Sequence, residues 1–146
     1  MASTPQFAAT PVIASLSLAA VTACATRAPT ATAALAAANI FALTAVSTAG
    51  LRIDAIEVQA ASTAIGAATT AGLIQIWEWD GTSAFLIDEI AVTAVTPSAT
   101  AAAFTTMKTY ALPINLPAAH RLYAASTATT TAAANALSVT AYGGAY

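Results

Sequence analysis

Few side chains in this sequence could do chemistry, and they are scattered along the chain. Among 146 residues there are four Lys or Arg, six Asp or Glu, one histidine and one cysteine. His120 follows Pro117-Ala118-Ala119, and a histidine in such a turn is more often a surface residue than a general base. A histidine-based metal site would want several ligands. Cys24 lies among small apolar residues without a base, so we expect a buried, inert thiol.

The carboxylates of the central region fall on two neighbouring predicted strands; they are Glu78, Asp80, Asp88 and Glu89. We expect a solvated or salt-bridged strand surface near Arg52 or Lys108. A calcium site would instead need about six or more oxygens in a converging loop. No glycine-rich phosphate loop and no nucleophile with an oriented base is visible. The sequence therefore predicts that the chain is not an enzyme and needs no cofactor and no metal.

Aromatic residues supply the candidate interface or packing positions. Trp77 and Trp79 are two apart on a predicted strand and so share a face, while Tyr142 and Tyr146 flank a glycine pair near the end of the sequence. An exposed tryptophan pair could stack on a sugar, but such pairs more often cover a core or a subunit contact. We expect packing or interface roles for all four.

The composition is unusually apolar and uncharged. Apolar residues make up 58% of the chain and charged residues 7%, against about 25% charged in ordinary soluble domains. Since Lys and Arg form no cluster, we expect neither nucleic acid nor an anionic membrane surface as a partner. A monomer is dispersed by a surface that is about 25–35% charged. We therefore expect a homo-oligomer that buries apolar surface between copies.

The first apolar stretch, residues 11–25, is short of the roughly 20 apolar residues of a membrane-spanning helix. Residues 21–24 imitate a lipoprotein cleavage box. However, a signal peptide needs a positively charged start, and the first basic residue is Arg27. We therefore expect residues 1–25 to belong to the mature fold, as an N-terminal arm reaching a neighbouring subunit or as a first strand.

Period-two alternation and abundant Thr predict β-structure for the elements that position these residues. The predicted strands are residues 12–23, 39–48, 51–59, 73–80, 84–95, 104–112, 121–126 and 136–142. Asp80-Gly81 predicts a hairpin turn, and a phase shift at Ile56 predicts a bulge. Residues 28–38 are expected to form a loop or one helical turn. The fold class that follows is an all-β, antiparallel β-sandwich over residues 26–146, of which a jelly roll is one form.

The order of short motifs from Arg52 to Tyr146 resembles small virion proteins that many tailed phages encode, of the capsid-decoration or head-associated kind. The motifs are Arg52-Ile53-Asp54-Ala55-Ile56, Thr70-Ala71-Gly72-Leu73-Ile74, Asp80-Gly81-Thr82, Leu86-Ile87-Asp88-Glu89-Ile90, Val95-Thr96-Pro97-Ser98-Ala99-Thr100, Leu116-Pro117-Ala118, Leu122-Tyr123-Ala124-Ala125-Ser126-Thr127 and Ala141-Tyr142-Gly143-Gly144-Ala145-Tyr146. Ala119 departs from the family's turn glycine and Ala145 from its final acid, and residues 1–50 match no family pattern. The resemblance implies a structural protein of the virion with a β-sandwich fold.

We therefore expect a capsid decoration or cement subunit, located in the virion. Its expected partners are other virion proteins, the major capsid protein first, and further copies of itself in a closed oligomer such as a trimer. The main alternative is a tail or fibre component that binds a host receptor through a patch around Trp77 and Trp79. A surface adhesin would need a signal sequence, and an ice-binding protein would need regular Thr-x-Thr ladders.

Overall fold

A computed structural model describes residues 10–146, which form two antiparallel β-sheets packed face to face. The strands are β1 Thr10–Leu18, β2 Thr30–Ala31, β3 Phe41–Ala42, β4 Leu51–Ala60, β5 Gly72–Trp79, β6 Ser83–Val92, β7 Thr105–Leu116, β8 Arg121–Ser126 and β9 Leu137–Ala145. One 3₁₀-helix, Thr32–Ala34, lies between β2 and β3. The predicted all-β sandwich is confirmed.

The first sheet has the strand order β1-β9-β4-β7, and the second has the order β2-β6-β5-β8-β3. The pairings are nested: β1 pairs with β9, β3 with β8, β4 with β7 and β5 with β6, each antiparallel. The first strand thus pairs with the last, and strands nearer the middle of the sequence pair with each other. These pairs alternate between the two sheets. The jelly-roll form and the N-terminal arm stay predictions, and residues 1–9 of that arm lie outside the described residues.

The main core lies between the sheets and follows from the alternation in the strands. Ile53, Ile56 and Val58 of β4 pack in one cluster with Ile74 and Ile76 of β5, and all five are completely buried. Each such side chain contributes roughly 1.5–3 kcal/mol when it leaves water. This central apolar layer fixes which residues of each strand point outwards and so can form a surface.

The predicted bulge of β4 lies two residues earlier, at Asp54, which is an extra residue opposite β9. A second, larger bulge lies on β7 at the same level. Regular pairing with β7 breaks between Ile53 and Ala55, where the β7 residues 110–113 stand opposite Asp54 alone. Pro113 within this stretch has no N–H to donate to the ladder. The extra residues leave Leu112 88% exposed, as bulges near sheet edges commonly re-aim a side chain.

A glycine in β9 permits the close approach of β4 beside this bulge. An added Cβ at Gly143 would lie 1.8 Å from the carbonyl oxygen of Arg52. Any side chain there would force the two central strands of the first sheet apart. Gly143 therefore has a backbone role in the sheet.

A long connection covers the outer face of the second sheet. Within this cover segment, defined as residues 24–40, Cys24, Leu35 and Ile40 pack with Trp77 and Tyr123 in a second apolar cluster. The expected burial of Cys24 is confirmed, since only 4% of it is exposed.

Two of the predicted strands are longer than the strands in the structure. The predicted strand 12–23 ends at Leu18, because the backbone N–H groups of Val21 and Ala23 donate to Thr130 and Thr129 hydroxyls instead of to a strand. The predicted strand 39–48 is reduced to the two residues of β3.

The predicted hairpin turn between β5 and β6 is confirmed. Asp80 N–H donates to the Ser83 carbonyl at 3.1 Å, and Asp80 Oδ1 accepts from the N–H groups of Thr82 and Ser83 at 2.8 Å. Those backbone hydrogen bonds, from Ser83 first, lower the pKa of the Asp80 carboxyl. Gly81 has φ +101°, a conformation that glycine adopts without strain.

Candidate interaction surfaces

The tryptophan pair does not form an exposed platform. Trp77 is 0% exposed, because the cover segment lies over it. Trp79 is partly buried, and its indole N–H donates to Thr32 Oγ1 at 2.8 Å. A flat ligand therefore cannot stack across both rings, and the arrangement is that of a packed cluster.

A cation sits on the aromatic cluster at the end of the second sheet. The Arg121 guanidinium lies 4.7 Å from the Trp79 ring centre and 4.8 Å from that of Tyr123, and it donates to the Tyr123 hydroxyl. Such contacts contribute about 0.5–2 kcal/mol each. The register that places Arg121 opposite Trp79 is a long-range pairing of β5 with β8. Sequence reasoning missed this contact because no local pattern reveals that pairing.

The two candidate tyrosines lie away from the tryptophans, on or beside the first sheet. The Tyr142 hydroxyl donates to Glu57 Oε2 at 2.7 Å, and the Tyr146 hydroxyl donates to Asn115 Oδ1 at 2.7 Å. The hydrogen bond to Glu57, reinforced by burial, raises the pKa of Tyr142. The four aromatic candidates thus do not form one site, and their roles at an interface stay predictions.

One ionic contact joins the two sheets at the side of the sandwich. Asp88 of β6 accepts from Lys108 Nζ at 2.6 Å and from the Tyr110 hydroxyl at 2.7 Å, both from β7. Burial would raise the pKa of Asp88, but the hydrogen bonds from Lys108, Tyr110 and the Glu89 N–H together hold it below its usual value. Burial, aided by Asp88, raises the pKa of Tyr110 far above its usual value, so its hydroxyl stays a donor at neutral pH.

The other charged side chains of the described region are also mostly paired. Arg27 Nε lies 2.8 Å from Glu89 Oε1, and His120 Nδ1 lies 2.8 Å from Glu78 Oε1. Arg52 pairs with Asp54 at 2.7 Å. Within residues 10–146, no three His, Cys, Asp or Glu side chains converge as metal ligands would. The absence of enzymatic activity stays a prediction.

Exposed apolar side chains are concentrated at the side of the sandwich where β6 and β7 meet. Four of the seven large apolar side chains exposed in residues 10–146 lie on these strands: Phe85, Ile87, Met107 and Leu112. Because Asp88 contacts both Lys108 and Tyr110, the strands that carry these side chains are neighbours in space. We call these four side chains, which lie on β6 and β7, the open edge.

A second distinctive surface is formed by three connections at one end of the sandwich. This loop end, defined as residues 61–71, 93–104 and 127–136, contains no ionisable side chain. Hydrogen bonds hold the connections together: Thr63 N–H donates to the Ala132 carbonyl at 3.0 Å, and Thr69 N–H donates to the Val95 carbonyl at 2.9 Å. Ile65 is fully exposed here.

The described surface has two shallow cavities that bear on these features. One, of about 200 Å³, lies at the loop end and is lined by Ala60, Ser62, Ala64, Ile65, Gly66, Ala67, Pro97 and Ala103. The other, of about 290 Å³, lies on the cover segment and its approach, between Ala25 and Ala38. Neither is lined by an ionisable side chain, so both suit apolar or neutral groups.

The chain matches no protein-family model, no curated protein and no solved structure at a significant level. Among residues 10–146, no helix has both the length and the apolar character that crossing a membrane requires.

Proposed function

We propose that this chain is a structural subunit of a tailed-phage virion, a capsid decoration or cement protein. The observation that carries the proposal is the division of its surface. Most charged side chains form ion pairs with one another, whereas large apolar side chains are exposed on the open edge and at the loop end. Contiguous exposed apolar surface marks protein contacts, and we propose that these side chains contribute to such a surface.

The connectivity supports the same proposal. We propose that the fold is a jelly roll. The nested pairings of β1 with β9, β3 with β8, β4 with β7 and β5 with β6 support this form when the two-residue β2 is set aside. Jelly rolls recur in viral capsid domains, and also in lectins and cupins. The fold is therefore compatible with the proposed role. The motif order from Arg52 to Tyr146 favours a capsid protein over a lectin or a cupin.

The proposed mechanism is mechanical. The open edge packs on the major capsid protein, with Leu112 as the anchor because the β7 bulge projects it into solvent. Each buried Å² of apolar surface contributes roughly 25 cal/mol, and copies joined in a closed oligomer bind the particle at several points at once. Weak single contacts thereby hold the shell together.

The alternative role, a tail or fibre component that binds a host receptor, has less support. It depended on an accessible patch around Trp77 and Trp79, and Trp77 is completely buried. Since no other described feature favours receptor binding, the capsid role is the proposal.

The test is binding to particles. Mass spectrometry of gradient-purified particles from the source should find this chain, and particles lacking it should bind the added recombinant protein and withstand a higher temperature. Leu112→Asp should weaken that binding at least tenfold, while Val46→Asp, an exposed position outside the open edge, should not. Absence of the chain from the particles, or no binding to depleted particles, would overturn the proposal.

A further inference from the structure

We infer that copies of this chain associate with one another through the loop end, with Ile65 of one copy inserted into the 200 Å³ cavity of the next. The inference rests on the proposed function in one respect: it names the surface by which the subunit forms its oligomer. Below, Ile65 is called the knob and the cavity is called the socket. Ile65 itself lines the socket of its own copy, together with Ala60, Ser62, Ala64, Gly66, Ala67, Pro97 and Ala103.

The knob is built by a tight turn. Ala67 N–H donates to the Ala64 carbonyl at 3.2 Å, and Gly66 in the third position of the turn has φ +84°. This is the position at which type II turns need glycine. The turn leaves Ile65 fully exposed, so burial within its own chain does not explain an isoleucine there.

The socket has the size and lining of a side-chain site. Its volume of about 200 Å³ is below the roughly 300–1,000 Å³ of pockets that hold small-molecule ligands. Its walls are mainly methyl groups and a proline ring, with no ionisable side chain. An aliphatic side chain such as that of isoleucine fits this volume and this chemistry.

Charge favours a second copy as the occupant. The loop end carries no ionisable side chain, so two copies can meet there without bringing like charges together. All the charged residues, with a formal net charge of −2, lie elsewhere on the chain. Depletion of charge at the centre of a contact surface is typical of protein interfaces.

The loop end is also held in place before association. Thr69 is buried, and its hydroxyl donates to the Thr93 carbonyl at 2.8 Å and accepts from Val95 N–H at 2.9 Å. Ala136 N–H donates to Ser62 Oγ at 3.1 Å. Because these bonds fix the loops that carry knob and socket, little conformational entropy is lost on contact.

The geometry also bears on symmetry. Knob and socket adjoin on the same surface, since Ile65 also lines the socket of its own copy. Contacts from each knob to the next socket can repeat around an axis and close into a ring when the rotation permits. A trimer is the smallest ring of this kind. A reciprocal pair, with each knob in the other's socket, is the dimeric form of the same contact.

The first experiment measures mass in solution by light scattering for the wild type, Ile65→Lys and Leu112→Lys. We expect the wild type and Leu112→Lys to be oligomers with the same association constant, and Ile65→Lys to associate at least tenfold more weakly. Leu112 is the matched control because it is also exposed and aliphatic but lies on the open edge. Unchanged thermal unfolding of both variants shows that they are folded.

The outcomes separate this inference from the proposed function. A wild type that stays monomeric overturns self-association, whereas the particle-binding result is independent of it. An oligomer unaffected by Ile65→Lys, or one dissociated by Leu112→Lys, overturns the loop end as the contact surface and leaves the capsid role standing.

A cross-linking experiment tests the knob and socket directly. Protein with Ile65→Cys is mixed with protein with Ala103→Cys under mild oxidation, and we expect a disulfide-linked heterodimer. A mixture of Leu112→Cys with Ala103→Cys is the control and should stay uncoupled. The native thiol, Cys24, is buried and common to all samples. Equal coupling in both mixtures would overturn the assigned contact.

Discussion

At the residue scale, Asp88 shows how the few charges of this protein are used. Its side chain is 18% exposed, and it binds both Lys108 and Tyr110 across the gap between the sheets. A carboxylate with two such donors is stabilised in its charged form, and hydrogen bonds to charged groups contribute about 1.5–3 kcal/mol. Asp88 therefore fastens β6 to β7 at the side where the sandwich would otherwise open.

We expect Asp88→Asn to lower the free energy of unfolding by about 1–3 kcal/mol at neutral pH. The folded-state pKa of Asp88 is below its usual value of 3.8, so its contribution is present above pH 3.8 and is lost as the pH falls through the folded pKa. The difference between variant and wild type should therefore close in acid. Urea unfolding followed by tryptophan fluorescence, at neutral pH and below 3.8, measures it.

The control is Asp54→Asn, which removes a pair with Arg52 whose side chains are 46% and 43% exposed. Exposed pairs contribute about 0–1 kcal/mol, so this variant should differ little from wild type at either pH. A cost for Asp88→Asn that does not change with pH would contradict the ionic role.

At the element scale, the cover segment gives the second sheet a core on its outer face. Leu35 is 4% exposed and packs in the cluster that contains Trp77, although the segment around it has little regular structure. Hydrogen bonds to the β5–β6 turn hold the segment in place, because Thr32 N–H and Oγ1 both donate to the Thr82 carbonyl. An Ala-rich stretch can therefore be ordered by packing without being a long helix.

We expect Leu35→Ala to destabilise the fold by about 2–5 kcal/mol, the usual cost of removing a buried leucine side chain. Trp77 fluorescence should shift to longer wavelength or become more accessible to acrylamide, because the cavity left behind lies in its cluster. Leu112→Ala, at an exposed leucine, should change stability by at most about 0.5 kcal/mol. Equal effects at the two leucines would show that the segment does not cover the sheet.

Sequence reasoning succeeded where alternation and turn chemistry are local. Predicted strand 121–126 coincides with β8, and the Asp80-Gly81 turn forms as expected. In residues 12–48 it succeeded only in part. The helical turn expected within 28–38 is present, but the strands predicted at 12–23 and 39–48 are too long. Ala and Thr there show no clear period, and their partners, such as Thr129 and Thr130, are more than a hundred residues away.

The candidate sites show the same limit. Residue types predicted that the tryptophans would pack and that the carboxylates of β5 and β6 would form a solvated or salt-bridged surface near Arg52 or Lys108. The cluster of Arg121 on Trp79 and Tyr123 could not be predicted, since it depends on the register of β5 with β8. Nor could the loop end, because it exists only where three separate connections meet.

At the scale of the whole molecule, charge is confined to strands, the cover segment and the end opposite the loop end. An association through an uncharged surface should respond to salt differently from one between charged patches. Only the small net charge of −2 on each copy is available for screening.

We therefore expect the association constant of the wild type to stay the same or rise slightly between about 0.1 M and 1 M salt, over which the screening length falls from about 10 Å to about 3 Å. Sulfate should strengthen association, since excluded salts favour apolar burial. Sedimentation equilibrium at each salt concentration measures this. A tenfold or greater loss of association at high salt would indicate that ion pairs, rather than the loop end, hold the copies together.

The nested strand pairing has a consequence for how the chain is made. β1 pairs with β9, residue for residue from Thr10 with Ala145 to Leu18 with Leu137, so the earliest described strand finds its neighbour only after the last has left the ribosome. Until then β4 also lacks one of its two partners, since β9 lies between β1 and β4. A sheet assembled from such distant pairs folds slowly, and few charges protect its unpaired edges in the meantime. Newly made chains should therefore depend on low synthesis rates or on chaperones to fold without aggregating.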